Sequence, residues 1–120
     1  MSHTIKEIRF STNWNNKLYC NNFATLRFGE CKYNEGEQCS ILLRKNGAYI
    51  NTGFGIIQAV YKDVAFKHLY WYLPIDTGYS FNESKKLFTQ FNHNIPIDDE
   101  TPVNVIVISR LNPLTLNRDI

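Results

Sequence analysis

The chain has 120 residues, 43% of them hydrophobic and 14% aromatic, which is enough to fill the core of one domain and excludes a disordered polypeptide. Its net charge is +2 and its pI is near 8.4, too mild a basicity to indicate nucleic-acid binding by itself, so any basic patch must come from local clustering. Cys20, Cys31 and Cys39 are odd in number and irregular in spacing, which makes neither a disulfide framework nor, with His3 and His68, a zinc pattern. They read as reduced thiols of a cytoplasmic protein. Met1-Ser2-His3-Thr4 shows no basic region followed by an apolar run, so no signal peptide is expected, and no stretch approaches the ~20 apolar residues that a bilayer span needs.

Residues 5–10 read as a first strand, with Ile5, Ile8 and Phe10 as its apolar members. Ser11 or Thr12 then caps a helix carrying Trp14, Lys17 and Leu18, which stops at Cys20-Asn21-Asn22 because paired asparagines favour turns. Ala24 to Phe28 is a second strand, with Ala24, Leu26 and Phe28 on one side and Thr25 and Arg27 on the other. A turn follows at Asn34-Glu35-Gly36-Glu37, then a strand over 39–44, with an exposed edge expected near 39–45 that could pair with a second copy. Asn46-Gly47 is the preferred two-residue hairpin turn. Tyr49 to Tyr61 is a long strand bent or bulged at Gly53 and Gly55.

Val64 to Trp71 reads as a short helix ended by Pro74 and Gly78. Ser80 with Glu83 is a capping-box signature for a second helix, whose apolar face is Phe81, Leu87, Phe88 and Phe91. Val103 to Ile108 is the clearest strand, and the tail from Asn112 to Ile120 reads as partly disordered. Strands, a helix between them, two later helices and a closing strand make an α+β domain. The glycine-bent strands point to a small, partly open barrel. No internal repeat or second domain is visible.

Four pieces of this order resemble the ASCH domain of the PUA-like superfamily. They are Phe10-Ser11 before a helix ending in Lys17-Leu18; Ala24-Thr25-Leu26-Arg27; Tyr33 with Gly36-Glu37; and Gly53-Phe54-Gly55-Ile56-Ile57 followed by helix and the Val103–Ile108 strand. The similarity spans roughly residues 5 to 110. It implies a small mixed or antiparallel PUA-like β-barrel with helices packed at its ends, and binding of RNA or a nucleotide in a cleft beside the first helix. Some small bacterial members resemble acetylcytidine amidohydrolases, with a Thr nucleophile, a Lys three residues before it and a Glu from the later helical region. Thr25 matches the Thr. The Lys position holds Asn22, which does not titrate in the useful range, and the Glu region offers Asp76.

The ligand-binding set expected from the resemblance is therefore Asn22, Thr25, Arg27 and Asp76, with Thr25 the one catalytic candidate. Each has a plainer reading. Arg27 is a surface cation paired with Glu30 or Glu37, Thr25 a β-branched strand residue, Asn22 part of a helix-ending turn, and Asp76 a capping residue. The run Tyr70-Trp71-Tyr72 either covers one end of the barrel or leaves a ring exposed for stacking on a base. Arg44, Lys45, Lys62 and Lys67 either follow a phosphate backbone or are simply solvated. No metal and no organic cofactor are expected, since no metal-ligand spacing and no phosphate-binding glycine loop are present. Three function classes stay open: an RNA- or nucleotide-binding module, an amidohydrolase acting on a modified nucleoside, and a protein-interaction domain using its aromatic surface.

Overall fold

Alternating burial along five strands builds the core of the domain. The computed structural model describes residues 5–91 and 96–111, apart from the side chains of residues 14, 15 and 91; the tail expected to be disordered lies outside the described residues. The strands are β1 (Lys6–Phe10), β2 (Asn22–Arg27), β3 (Gln38–Lys45), β4 (Ala48–Ala65) and β5 (Pro102–Arg110). They form one sheet in the order β1-β3-β4-β5-β2, with β1 and β3 parallel and the other neighbours antiparallel. A 3-10 helix (Trp14–Tyr19) joins β1 to β2, and a second (Phe66–Leu69) leads from β4 into helices α1 (Leu73–Thr77) and α2 (Phe81–Phe91). The architecture is a small α+β domain on a mixed five-stranded sheet.

Two apolar clusters lie on the two faces. Ile8, Phe10, Phe23, Ile41, Leu43, Ile57, Ile106 and Ile108 form the first, which Leu18 of the 3-10 helix completes. Leu26, Phe66, Leu69, Leu73, Phe88, Ile97 and Val103 form the second, beneath α1 and α2. Each fully buried Ile or Leu contributes about 1.5–3 kcal/mol relative to an exposed one. β2 serves both clusters: Phe23 faces the first and Leu26 the second.

The backbone ladder does not close on itself, and β1 and β2 are its edges. Side chains bring those edges together. The Arg27 guanidinium on β2 donates to the Arg9 carbonyl on β1 at 2.8 Å, and the Phe10 and Phe23 rings meet edge to face at 6.0 Å. β3 is paired on both sides, so the exposed edge expected near 39–45 is not found; only Arg44 and Lys45 run past the end of the pairing with β1.

Local signals explain the turns. Asn46 and Gly47 both have positive φ, 51° and 80°, as the two-residue hairpin requires. Ser80 Oγ accepts from the Glu83 amide, and Glu83 Oε1 accepts from the Ser80 amide, which completes the capping box. Two expectations change. The segment after Thr12 is a 3-10 helix of six residues rather than an α-helix, with Asn16 at φ 54°. The helix expected from Val64 is displaced because Val64 and Ala65 still pair with β5. The chain turns helical only at Phe66, and Pro74 sits in the first turn of α1, where its missing N–H costs nothing. No helix among the described residues is long and apolar enough to cross a membrane.

Candidate functional site

Thr25 and Arg27 project from the same face of β2 as Phe23, towards the first core cluster. Phe10 lies at the centre of this region. Its ring is 4.8 Å from the Arg27 guanidinium carbon and 5.7 Å from Lys17 Nζ, with Phe23 at its edge. A guanidinium on an aromatic face is held flat, with its fork aimed sideways.

Arg27 is partly buried, and one of its nitrogens, Nη2, is used by the Arg9 carbonyl. Its Nε is shut away from solvent without a hydrogen-bond partner. Leaving a buried donor unpaired costs about 1–3 kcal/mol, more for a charged group. Burial lowers the Arg27 pKa, an effect countered by the nearby phenols Tyr33 and Tyr49. The Thr25 side chain is buried, and its hydroxyl makes no hydrogen bond among the described residues. Of these two groups on one interior strand face, Arg27 Nε is the buried one left without a partner.

The second part of the site spans 59 residues of sequence. Lys17 Nζ on the first 3-10 helix donates to Asp76 Oδ1 on α1 at 2.9 Å, and their side chains are only 13% and 4% exposed. Tyr72 OH donates to the same oxygen at 3.2 Å. Burial lowers the Lys17 pKa; Asp76 works against that shift, and the charge of Arg27 adds to it. Burial also raises the Tyr72 pKa, with the Asp76 carboxylate reinforcing the effect, so the phenol stays a neutral donor. The influence of Arg27 on Lys17 and their shared contact with Phe10 put the two cations in one neighbourhood.

The structure therefore brings Thr25 and Arg27 together and places Asp76 nearby through Lys17. Asn22 is different. It is exposed, and its Oδ1 accepts from Ser109 Oγ at 2.5 Å across the β2–β5 pair. With no bulge between residues 22 and 27, its side chain falls on the face opposite Thr25. Glu37 is held by Lys6 at 3.0 Å and not by Arg27. The Tyr33–Glu37 segment docks on the sheet instead: Gly36 N–H donates to the Ile57 carbonyl and Ile57 N–H to the Glu37 carbonyl, each at 2.8 Å.

Lys17, which the sequence places in the first helix beside Leu18, is the further residue that the structure brings to this site, and its signal is a lysine inside an otherwise apolar spacing. Tyr70, Trp71, Ile75 and Tyr79 are all exposed, and the Trp71 ring meets Tyr72 at 5.8 Å. Among the described residues, no three His, Cys, Asp or Glu side chains come together as a metal site. No family model matches the chain, and no curated protein or solved structure matches it.

Proposed function

We propose that this chain is an ASCH-like domain on a partly open, PUA-like barrel, and that it binds a nucleotide or RNA in the cleft between β2, the first 3-10 helix and α1. The observation that carries this reading is the buried, unpartnered Arg27 Nε beside the unbonded Thr25 hydroxyl. A ligand acceptor satisfies that donor, and a phosphate or nucleobase oxygen provides one. Lys17 and Asp76 form the wall, holding opposite charges at a fixed place beside it. The three cysteines are free thiols, which agrees with a reducing, cytoplasmic setting. Calorimetric titration with the four ribonucleoside monophosphates tests the reading. Saturable binding that Arg27→Lys weakens by roughly tenfold or more, at unchanged Tm, supports it. Absence of binding by all four at low salt contradicts it.

The Lys17–Asp76 pair favours one second reading, hydrolysis of an amide on a modified nucleoside. The lysine–carboxylate pair shares a neighbourhood with Arg27, two residues from Thr25 on the same strand face, and burial raises the neutral fraction of the Lys17 amine that would take the Thr25 proton. Against it, no hydrogen bond joins Thr25 to Lys17 or Asp76 among the described residues. Release of cytidine from acetylcytidine, abolished by both Thr25→Ala and Lys17→Met, supports this second reading. Turnover that survives Thr25→Ala removes it.

A further inference from the structure

Outside the cleft, the strongest unexplained concentration of charge is at the hairpin end of the sheet. Arg9 of β1 is the register partner of Leu42, and Arg44 of β3 is the partner of Tyr49. Partners share a face, so Arg9, Arg44 and Tyr49 all lie on the side of the sheet opposite Ile8, Phe10 and Leu43. The Arg9 guanidinium carbon is 5.1 Å from the Tyr49 ring centre. Arg44, Lys45 and Tyr49 are exposed, and Arg44 and Lys45 project beyond the end of β1. Among the described residues, the carboxylate paired with any of Arg9, Arg27, Arg44 and Lys45 is Glu7, at a loose 3.7 Å from Arg9. Arg27 of the cleft reaches the edge of this face: it is bonded to the Arg9 main chain, and the Tyr49 phenol acts on its charge.

We infer that this face is a track for single-stranded nucleic acid, on which Arg9 and Arg44 hold phosphates and Tyr49 stacks a base, leading to the nucleotide seated at Thr25 and Arg27. The inference rests on the nucleotide reading of that cleft and sharpens it: the ligand is one residue of a longer strand, not a free nucleoside. Arg44 and Lys45, without a carboxylate partner among the described residues, and Arg9, held only loosely by Glu7, match a polyanion, and the exposed Tyr49 ring beside Arg9 and Arg44 matches a chain that alternates charge with aromatic surface. A base in a duplex keeps its face stacked inside the helix, so Tyr49 selects single strands. An acidic peptide supplies the charge but not the rings.

Fluorescence anisotropy with labelled RNA and DNA strands of about ten nucleotides, beside calorimetry with a mononucleotide, tests this. Arg9→Gln with Arg44→Gln is expected to weaken strand binding by roughly tenfold and to flatten the dependence of log affinity on log salt by about 1.4, the share of two phosphates. Tyr49→Ala is expected to weaken strand binding and leave the salt slope alone. Mononucleotide binding should be unchanged in the double arginine variant. Strand binding equal to wild type in the double variant, while the mononucleotide still binds, overturns the track and leaves the cleft reading standing. So does a preference for duplex, or displacement of the strand by polyglutamate at equal charge. Failure of the mononucleotide to bind the wild-type protein overturns the cleft reading and the track with it.

Discussion

Arg27 and Arg110 stand at opposite ends of the β2–β5 pair, each over an aromatic ring, Phe10 at 4.8 Å and Phe23 at 6.0 Å. Burial lowers the pKa of both. Their hydrogen bonding is different. Arg110 spends its whole fork on the backbone: Nε donates to the Cys20 carbonyl, Nη1 to Thr52 and Nη2 to Leu18. It ties the end of the first 3-10 helix to β4. Arg27 has one carbonyl and a buried Nε without a partner. A guanidinium satisfied by its own chain is part of the scaffold, whereas one left partly unsatisfied holds donors in reserve for something else.

Breaking the Arg110 end should have the largest effect. Arg110→Met leaves three carbonyls without donors, and the expected cost is about 3–5 kcal/mol, read as a Tm drop of more than roughly 10 °C in a thermal melt. Next comes Asp76→Ala, which strands Lys17 without its partner at a cost of about 3 kcal/mol in chemical denaturation. Its pH dependence has a definite sign. Folded Lys17 has a lowered pKa, so the unfolded chain binds the extra proton. The variant's stability should therefore rise as pH climbs from the folded pKa towards the unfolded value near 10.5.

Gly53→Ala tests the Arg110 end from β4. A Cβ there would lie 2.5 Å from Arg110 Nη1, on a backbone at φ 140°, so the expected loss is about 1–3 kcal/mol. Tyr72→Phe should cost least, about 1 kcal/mol at neutral pH for one hydrogen bond to Asp76. Because the folded phenol has a raised pKa, wild type loses stability once the unfolded phenol ionises, above pH ~10. The deficit of Tyr72→Phe should narrow there in paired melts, and a constant deficit would show that folding does not raise the Tyr72 pKa.

Short-range features were legible in the sequence. The alternation of Thr25 and Arg27 against Ala24 and Leu26, the Asn46-Gly47 turn and the Ser80–Glu83 box all depend on neighbours within a few residues, and the structure contains each of them, although β2 stops before Phe28, which the sequence places in the same alternation. The same alternation separates Asn22 from Thr25, since an odd spacing on a regular strand reverses the face. The resemblance set that aside by grouping residues through motif position. Arg110 also carried a signal, as the next member of the inward series Asn104, Ile106, Ile108, where an arginine must find internal partners.

Other features had no local trace. The Lys17–Asp76 pair links elements 59 residues apart and exists because α1 packs on the first 3-10 helix. The Arg27–Arg9 bond depends on how far the sheet curls, which no strand encodes alone.

The contrast between the two arginines is tested most directly by making the same substitution at both, Arg27→Lys and Arg110→Lys, and measuring Tm and nucleotide affinity on each protein. Both changes keep the charge and remove the planar fork. The account predicts that Arg110→Lys lowers Tm markedly while affinity per folded molecule is unchanged. It predicts that Arg27→Lys leaves stability within about 1 kcal/mol of wild type and weakens nucleotide binding by roughly tenfold or more. A fall in Tm for Arg27→Lys as large as that for Arg110→Lys, with binding that tracks the folded fraction, would contradict it and make Arg27 part of the scaffold.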